Sequence, residues 1–283
     1  MTWSESHWLV NSMPELPDVE AVRRYLSARG LEGLAFTGAT ILWPKAIKTP
    51  SLEEFVLGIT GRRIGPIGRR AKYLLFPLDD GQTLIAHLRM TGSLLVEPAT
   101  QDRHPMTRNI FSLDDGRELR LVDPRKLGMV WLVQDTAQVL KGLGPEPLEP
   151  DFTPQALGAQ LRGRKVPIKA LLCDQAVVAG IGNIYADEVL FVSGVHPLTQ
   201  GSEVTGDQVK KMHGVIIEIL SWAIERMAPL VSRGGPPTES AEGLLALEVP
   251  RKRGGSCSWC DDPIVRVAVR GRSTYFCPRC QPQ

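Results

Sequence analysis

Short apolar and alternating runs fill residues 36–134, and beyond residue 153 the apolar positions recur with a helical period. The runs Phe36–Leu42, Tyr73–Leu78, Thr83–His87, Ile110–Leu113, Glu118–Val122 and Met129–Val133 predict strands. Asp79-Asp80-Gly81 and Asp114-Asp115-Gly116 each separate two of them, and Asp-Gly is a strong hairpin signal. One short helix is predicted from Ser51, with Glu54 at capping-box spacing. The pattern implies an antiparallel sandwich or barrel with flanking helices. Gly144-Pro145-Glu146-Pro147-Leu148-Glu149-Pro150 continues neither strand nor helix and reads as a linker.

Past the linker, Thr153-Pro154 looks like a cap followed by proline at the first helical position. Thr205 with Gln208 forms another capping box. It opens a long helix whose apolar side is Val209, Met212, Ile216, Leu220, Ala223, Ile224 and Met227. Residues 230–248 are rich in Gly, Pro and Ser and read as a loop. At the other end, Met13-Pro14-Glu15-Leu16-Pro17-Asp18-Val19-Glu20 crowds prolines and acids before an amphipathic run, which suits a helix start.

Length and composition add little by themselves. The 283 residues suffice for two domains, and net charge is only +2. No apolar run approaches the ~20 residues that span a bilayer, so no membrane partner is expected. Residues 1–12 lack a basic start and a long apolar core, which argues against a secretory signal. From Arg251 onward seven Lys/Arg face two acids, which is either a solvated basic face or a nucleic-acid footprint.

Cysteine placement carries more. Four of the five cysteines lie in Cys257-x2-Cys260-x16-Cys277-x2-Cys280, and two such pairs close a tetrahedral zinc site. Between the pairs, 264–270 and 273–276 look like two strands joined near Gly271-Arg272. Cys173 lies in an apolar run and reads as an inert core residue.

Five strings together resemble the formamidopyrimidine-DNA glycosylase (Fpg/Nei) family. They are the 13–20 stretch, Gly180-Ile181-Gly182-Asn183-Ile184-Tyr185-Ala186-Asp187-Glu188, the 271–281 closing string, and the loops 87–92 with 123–128. The resemblance implies an α+β, multidomain protein. An N-terminal antiparallel β-sandwich (13–141) and a linker (142–152) would precede a helix–two-turns–helix domain (153–248). A four-cysteine zinc-finger β-hairpin (249–283) would follow, holding one structural Zn(2+).

The resemblance also implies an oxidised-purine DNA glycosylase and lyase of base-excision repair. It would act as a monomer on damaged double-stranded DNA in a bacterial-type cytoplasm, associated with the nucleoid. Pro14 would be the nucleophile and Glu15 the general acid, with Lys72 and Arg272 on phosphates at the lesion. His87 and Met90, with Arg125 and Leu127, would belong to the loops that fill the gap left by the damaged base. Leu127 stands where relatives carry phenylalanine. Asn183 and Glu188 would belong to the DNA-gripping element, and Lys169 matches a family lysine near the lesion. Catalysis requires Pro14 as a free amine, because an amide nitrogen is delocalised and cannot attack carbon. Residues 1–12 are therefore expected to be an over-long start; if they are retained, a non-catalytic damaged-DNA-binding protein is the alternative. An Nei-type enzyme for oxidised pyrimidines is the other.

Overall fold

The computed structural model describes residues 13–232, 247–251 and 254–283. These form two compact units, residues 13–141 with the described residues from Ile224, and residues 142–223 with those from Leu247.

The first unit is a β-sandwich preceded by helix α1 (Leu16–Ala28). One sheet has four strands in the order β1 (Phe36–Ile41), β7 (Thr107–Leu113), β8 (Arg117–Val122), β6 (Ser93–Pro98). The other has five, in the order β2 (Ile47–Thr49), β9 (Met129–Val133), β5 (Thr83–His87), β4 (Tyr73–Pro77), β3 (Gly68–Arg70). Both Asp-Gly hairpins form, joining β4 to β5 and β7 to β8, with Gly81 and Gly116 each at φ 85. All pairs are antiparallel except β2–β9, which runs parallel. Helix α2 (Leu52–Ile59) starts as its capping box predicts, with Ser51 and Glu54 bonded reciprocally. It sends Phe55 against Phe111, which also meets Phe36 edge-on at 6.1 Å.

Register decides where the loops emerge. His87 ends the central strand β5, opposite Tyr73 at the start of β4 and Met129 at the start of β9. Ser93 opens β6 opposite Val122, the last residue of β8. The crossovers 88–92 and 123–128 thus leave the sandwich beside one another. Short helix α3 (Ala137–Leu140) ends the unit's first segment.

The second unit holds α4 (Pro154–Leu161), α5 (Ile168–Leu172), α6 (Asn183–Ser193), most of α7 (Gly206–Ser232), and the hairpin β10 (Val265–Val269) and β11 (Arg272–Phe276). The cap at Thr153 and the box at Thr205 and Gln208 both form. The seven apolar positions expected along α7 are all buried. That helix runs to Ser232, so residues 230–232, expected in a loop, are helical; Pro229 lies in its last turn and removes one i→i−4 bond there. The rest of that loop, 233–246, lies outside the described residues. The linker is irregular as expected but docked: Gly144 donates to Gln175 at 2.8 Å, and a side chain at Gly144 would come 2.6 Å from the Ala176 carbonyl. No helix among the described residues is long and apolar enough to cross a membrane.

Arg120, 1% exposed on β8, shows how the sandwich holds an irregular loop. It pairs with Glu118 at 2.7 Å and donates to the carbonyls of Pro98, Gln101 and Asp102. Arg120→Met deprives that carboxylate and three carbonyls of this donor. A loss of about 3–5 kcal/mol in urea unfolding is expected, and a loss under ~1 kcal/mol would contradict it.

Candidate functional site

In the first unit Pro14 is half-buried one residue ahead of Glu15, the N-cap of α1, which is 2% exposed. The Glu15 N–H donates to Asp18 Oδ2 at 2.7 Å, so the helix start is closed by its own acid. Further along α1, Glu20 accepts from Arg23 at 2.7 Å, Arg24 at 3.1 Å and Arg69 at 3.2 Å. Burial pushes the Glu20 carboxyl up, but the hydrogen bonds and charges of these arginines hold it below its ordinary value. This cluster ties α1 to β3. The two-residue turn from β3 to β4 carries Ala71, at φ 52, and the buried Lys72.

His87 is buried against Tyr73, edge to face at 4.6 Å, and its Nδ1 accepts from the Arg89 N–H at 3.0 Å. Burial drives its pKa down to about 3, helped by the nearby positive charges of Arg89 and Lys72. The ring is therefore neutral at physiological pH and supports the loop rather than carrying charge.

Met90 and Arg125 come together: the Arg125 guanidinium lies 3.8 Å from the Met90 sulfur. Leu127 is 40% exposed, and Met90 is half-exposed rather than packed in the core. A residue that sequence reasoning did not single out ties together the two loops that carry them. Asp123, 1% exposed, accepts from Thr91 Oγ1 at 2.5 Å and from the N–H groups of Arg125 (3.2 Å), Leu127 (2.6 Å) and Gly128 (2.6 Å). One carboxylate thereby pins both loops. Gly92 completes the clamp, since a Cβ there would meet the Leu88 carbonyl oxygen at 2.5 Å.

In the second unit Lys169 is 0% exposed. Its ammonium donates to the Asn183 carbonyl and to Asp187 Oδ1, each at 2.5 Å. Sequence reasoning grouped it with side chains near a lesion; the structure puts it behind the surface, because a buried ammonium needs a carboxylate partner. Asp187 also pairs with Arg251 and accepts the Tyr275 N–H of β11. Burial pushes the Asp187 carboxyl up, and the two cations work against that shift.

Glu188 is also buried and accepts the N–H groups of Glu248 (2.9 Å) and Val249 (3.0 Å). Burial raises its pKa to about 7, although both N–H donors favour the carboxylate. Asn183 opens α6 after Gly180-Ile181-Gly182, with Gly180 at φ 90. Its Nδ2 donates to the Ser273 carbonyl at 2.9 Å, joining α6 to the hairpin. Asp187 and Arg251 were not expected as site residues. Helical spacing cannot say which of two adjacent acids faces inward, and Arg251 counted only toward the basic tail.

Val269 pairs with Arg272 across the turn Arg270-Gly271, both at positive φ, which leaves Arg272 exposed beside the hairpin tip. Beneath the hairpin, the sulfurs of Cys257, Cys260, Cys277 and Cys280 all lie within 4.8 Å of one another, with three of the separations at 3.5–3.7 Å. A tetrahedron of thiolates about 2.3 Å from a zinc ion has edges of roughly 3.8 Å, while a disulfide needs about 2.05 Å. Backbone N–H groups of Trp259 and Cys280 also approach the Cys257 and Cys277 sulfurs at 3.4 Å, as thiolates favour. The set fits one zinc ion. Cys173 stays apart, buried, with its thiol on the Gly182 carbonyl.

Two outcomes follow from these clusters. Cys277→Ser should drop bound zinc well below one equivalent by metal analysis and speed amide exchange across β10 and β11, with the first unit's exchange unchanged. Full zinc occupancy in that variant would rule out a tetrathiolate site. Asp123→Asn substitutes donors where acceptors are needed, so Leu127 and Gly128 amides should exchange faster, by roughly 1–3 kcal/mol of local opening. Unaltered protection there would remove Asp123 as the organiser.

Comparison with known proteins matches all three segments in order. Residues 13–130 match the formamidopyrimidine-DNA glycosylase N-terminal domain, 143–233 its H2TH domain, and 257–283 the zinc finger found in FPG and IleRS. The chain is 46% identical over 276 residues to a formamidopyrimidine-DNA glycosylase of Chloroflexus aurantiacus, covering 95% of this chain and 98% of that one. Among solved structures, MutM in complex with DNA containing carbocyclic 8-oxo-G superposes with a TM-score of 0.86 at 35% identity, covering 95% of this chain and 100% of that one. Lactococcus lactis FPG (MutM) with FAPY-dG-containing DNA does so at 0.84 and 35%, with the same coverage. With capped helix start, pinned loops, glycine turn and four-cysteine hairpin all in the family's order, the chain belongs to the formamidopyrimidine-DNA glycosylase family.

Proposed function

We propose that this chain is a base-excision repair DNA glycosylase and lyase for oxidised purines, working through the amine of Pro14. The observation that carries the reading is the family match, which begins at residue 13, one position before Pro14, and includes all four zinc-binding cysteines. The relatives solved with FAPY-dG and 8-oxo-G DNA support the choice of oxidised purines.

In this reading the damaged nucleotide is extruded, as chemistry on a base inside the stack requires. The secondary amine of Pro14 attacks the anomeric carbon of the sugar, and the base departs with the bonding electron pair and a proton. Glu15, next in sequence, protonates the ring oxygen as the sugar opens. The cationic iminium acidifies the adjacent sugar proton. Loss of that proton breaks the 3′ carbon–oxygen bond, and a second elimination breaks the 5′ bond. Lys72 and Arg272 hold phosphates beside the reacting sugar, Arg272 from its exposed place beside the turn.

Met90 and Leu127 fill the vacated space while the Arg125 guanidinium bonds the orphaned base. The anchor on Asp123 shared by Thr91, Arg125 and Leu127 supports a concerted insertion of the two loops. Asn183 and the N-terminus of α6 grip backbone phosphate, with Lys169 and Glu188 positioning that element from behind. Zinc, when bound by the four cysteines, supplies a structural cross-link for the hairpin and takes no part in bond breaking. The reading further takes the enzyme as a monomer on double-stranded DNA in a bacterial cytoplasm, associated with the nucleoid.

Borohydride reduction in the presence of lesion-bearing duplex tests the nucleophile. The natively produced protein should give a covalent protein–DNA adduct and an intact mass consistent with Pro14 first. Pro14→Gly should lower adduct formation by at least roughly tenfold, the remainder reflecting the substitute amine. Efficient trapping by a chain that retains residues 1–12 would mean that another group performs the attack.

A further inference from the structure

We propose that Arg89 is a further DNA-binding residue, one that takes a phosphodiester of the damaged strand alongside Lys72. The proposal rests on the reading of this chain as a DNA glycosylase and adds one contact to it.

Arg89 lies in the loop after β5, next to Met90, half-buried and with little to bond. Its Nη2 meets the Met129 sulfur at 3.3 Å, and a thioether is a weak acceptor. Nε is sealed from water without a partner. Nη1 is unpaired as well but is not sealed. Among the described residues no carboxylate pairs with this guanidinium, whereas the buried Arg120 of the same unit has Glu118 and three carbonyls. A cation gripped along its stem and open at its end is suited to an anion with several acceptor oxygens.

The backbone supplies a second reason. Arg89 stands at φ 57, a region that glycine adopts freely and other residues rarely. Lys126 in the neighbouring loop is similar at φ 58, but its ammonium has a place, 4.5 Å over the Trp43 ring. Arg89 bears the same conformational cost without a comparable contact, and such outliers cluster where ligands are held.

Register indicates which ligand. Tyr73 and Met129 flank His87 across the sheet, and Lys72 directly precedes Tyr73. The positive charges of Arg89 and Lys72 both bear on the neutral His87 ring. The two cations therefore lie at one end of this sheet, where Lys72 holds phosphate in the proposed function. An orphaned base is the poorer match for Arg89, because Met90 turns to Arg125 instead.

Fluorescence anisotropy of the natively produced full chain tests the contact, on a duplex bearing a tetrahydrofuran abasic analogue at roughly 50 to 200 mM salt. Glycine suits φ 57, so Arg89→Gly removes the cation without straining the loop, and Leu127 and Gly128 amide protection should match the parent. Affinity at low salt should fall at least roughly tenfold. The slope of log K against log salt should become shallower by about 0.9, the value of one phosphate contact, and Arg89→Lys should restore it. A neutral methylphosphonate at one phosphate flanking the lesion should weaken the parent chain and leave the affinity of Arg89→Gly unaltered.

An unchanged slope in Arg89→Gly would overturn the contact. A fall in affinity with the slope intact, unrelieved in Arg89→Lys, would mean packing against Met129 and would overturn it too. Methylphosphonates that matter only in the opposite strand would refute the assignment to the damaged strand. A parent chain that does not bind the lesion duplex would instead take down the proposed function, and this contact with it.

Discussion

A carboxylate sealed from water must find donors for both oxygens, and Asp187 finds them on three separate stretches of chain. Lys169 of α5 takes one oxygen, while Arg251 and the Tyr275 N–H of β11 take the other. Both cations also reach the carbonyl of Asn183, the first residue of α6. Removing one member of such a buried set typically costs about 3–5 kcal/mol, because the remaining charges stay buried without compensation. The start of α6 is therefore set by charge pairing from beneath. Asn183 then passes that position on to the hairpin through its bond to Ser273, next to Arg272.

This explains why the zinc module can be so small. Residues 254–283 bury too little apolar surface to fold on their own strength, the usual situation of metal-stapled modules. What core they have is shared: Phe191 of α6 packs with Val249, Cys257 and Cys277, and Ile264 and Tyr275 close over them. Zinc fixes the hairpin internally, whereas Phe191 and Asp187 fix it to α6. Neither anchor substitutes for the other, since the zinc cross-link acts within the module while Asp187, with Asn183 on the Ser273 carbonyl, sets its position on α6.

Local chemistry was legible in the sequence wherever a few adjacent residues decide the outcome. Capping boxes at Ser51 and Thr205, Asp-Gly turns at 80–81 and 115–116, and the paired cysteines all act within a few residues or a fixed spacing. Strands β2, β3 and β6 were not legible. Ile47-Lys48-Thr49 and Gly68-Arg69-Arg70 are strands because a neighbour offers an edge, not because their residues alternate. Ser93–Pro98 hides an apolar core, Leu94–Val96, behind a turn whose tight Gly92 gave no sign of what followed. The buried organisers were invisible for the same reason. Asp123 and Asp187 look like ordinary surface acids until the donors that surround them, up to 88 residues away in sequence, are brought in.

The proposed N-terminal chemistry is the opposite case, one in which the fold is indifferent to the covalent fact on which the proposed function depends. Glu15 caps α1, Asp18 takes the Glu15 N–H, and Pro17 in the first turn has no N–H to satisfy. None of these bonds uses the Pro14 nitrogen. A chain acylated at that nitrogen can build the same helix start, the same sandwich and the same pinned loops, and so can one that begins there. Only the second has a lone pair to offer an electrophilic carbon. In the proposed function recognition and chemistry are thus separable: phosphate grip and gap filling use bonds that the folded chain makes either way, while bond breaking uses the Pro14 nitrogen as a free amine.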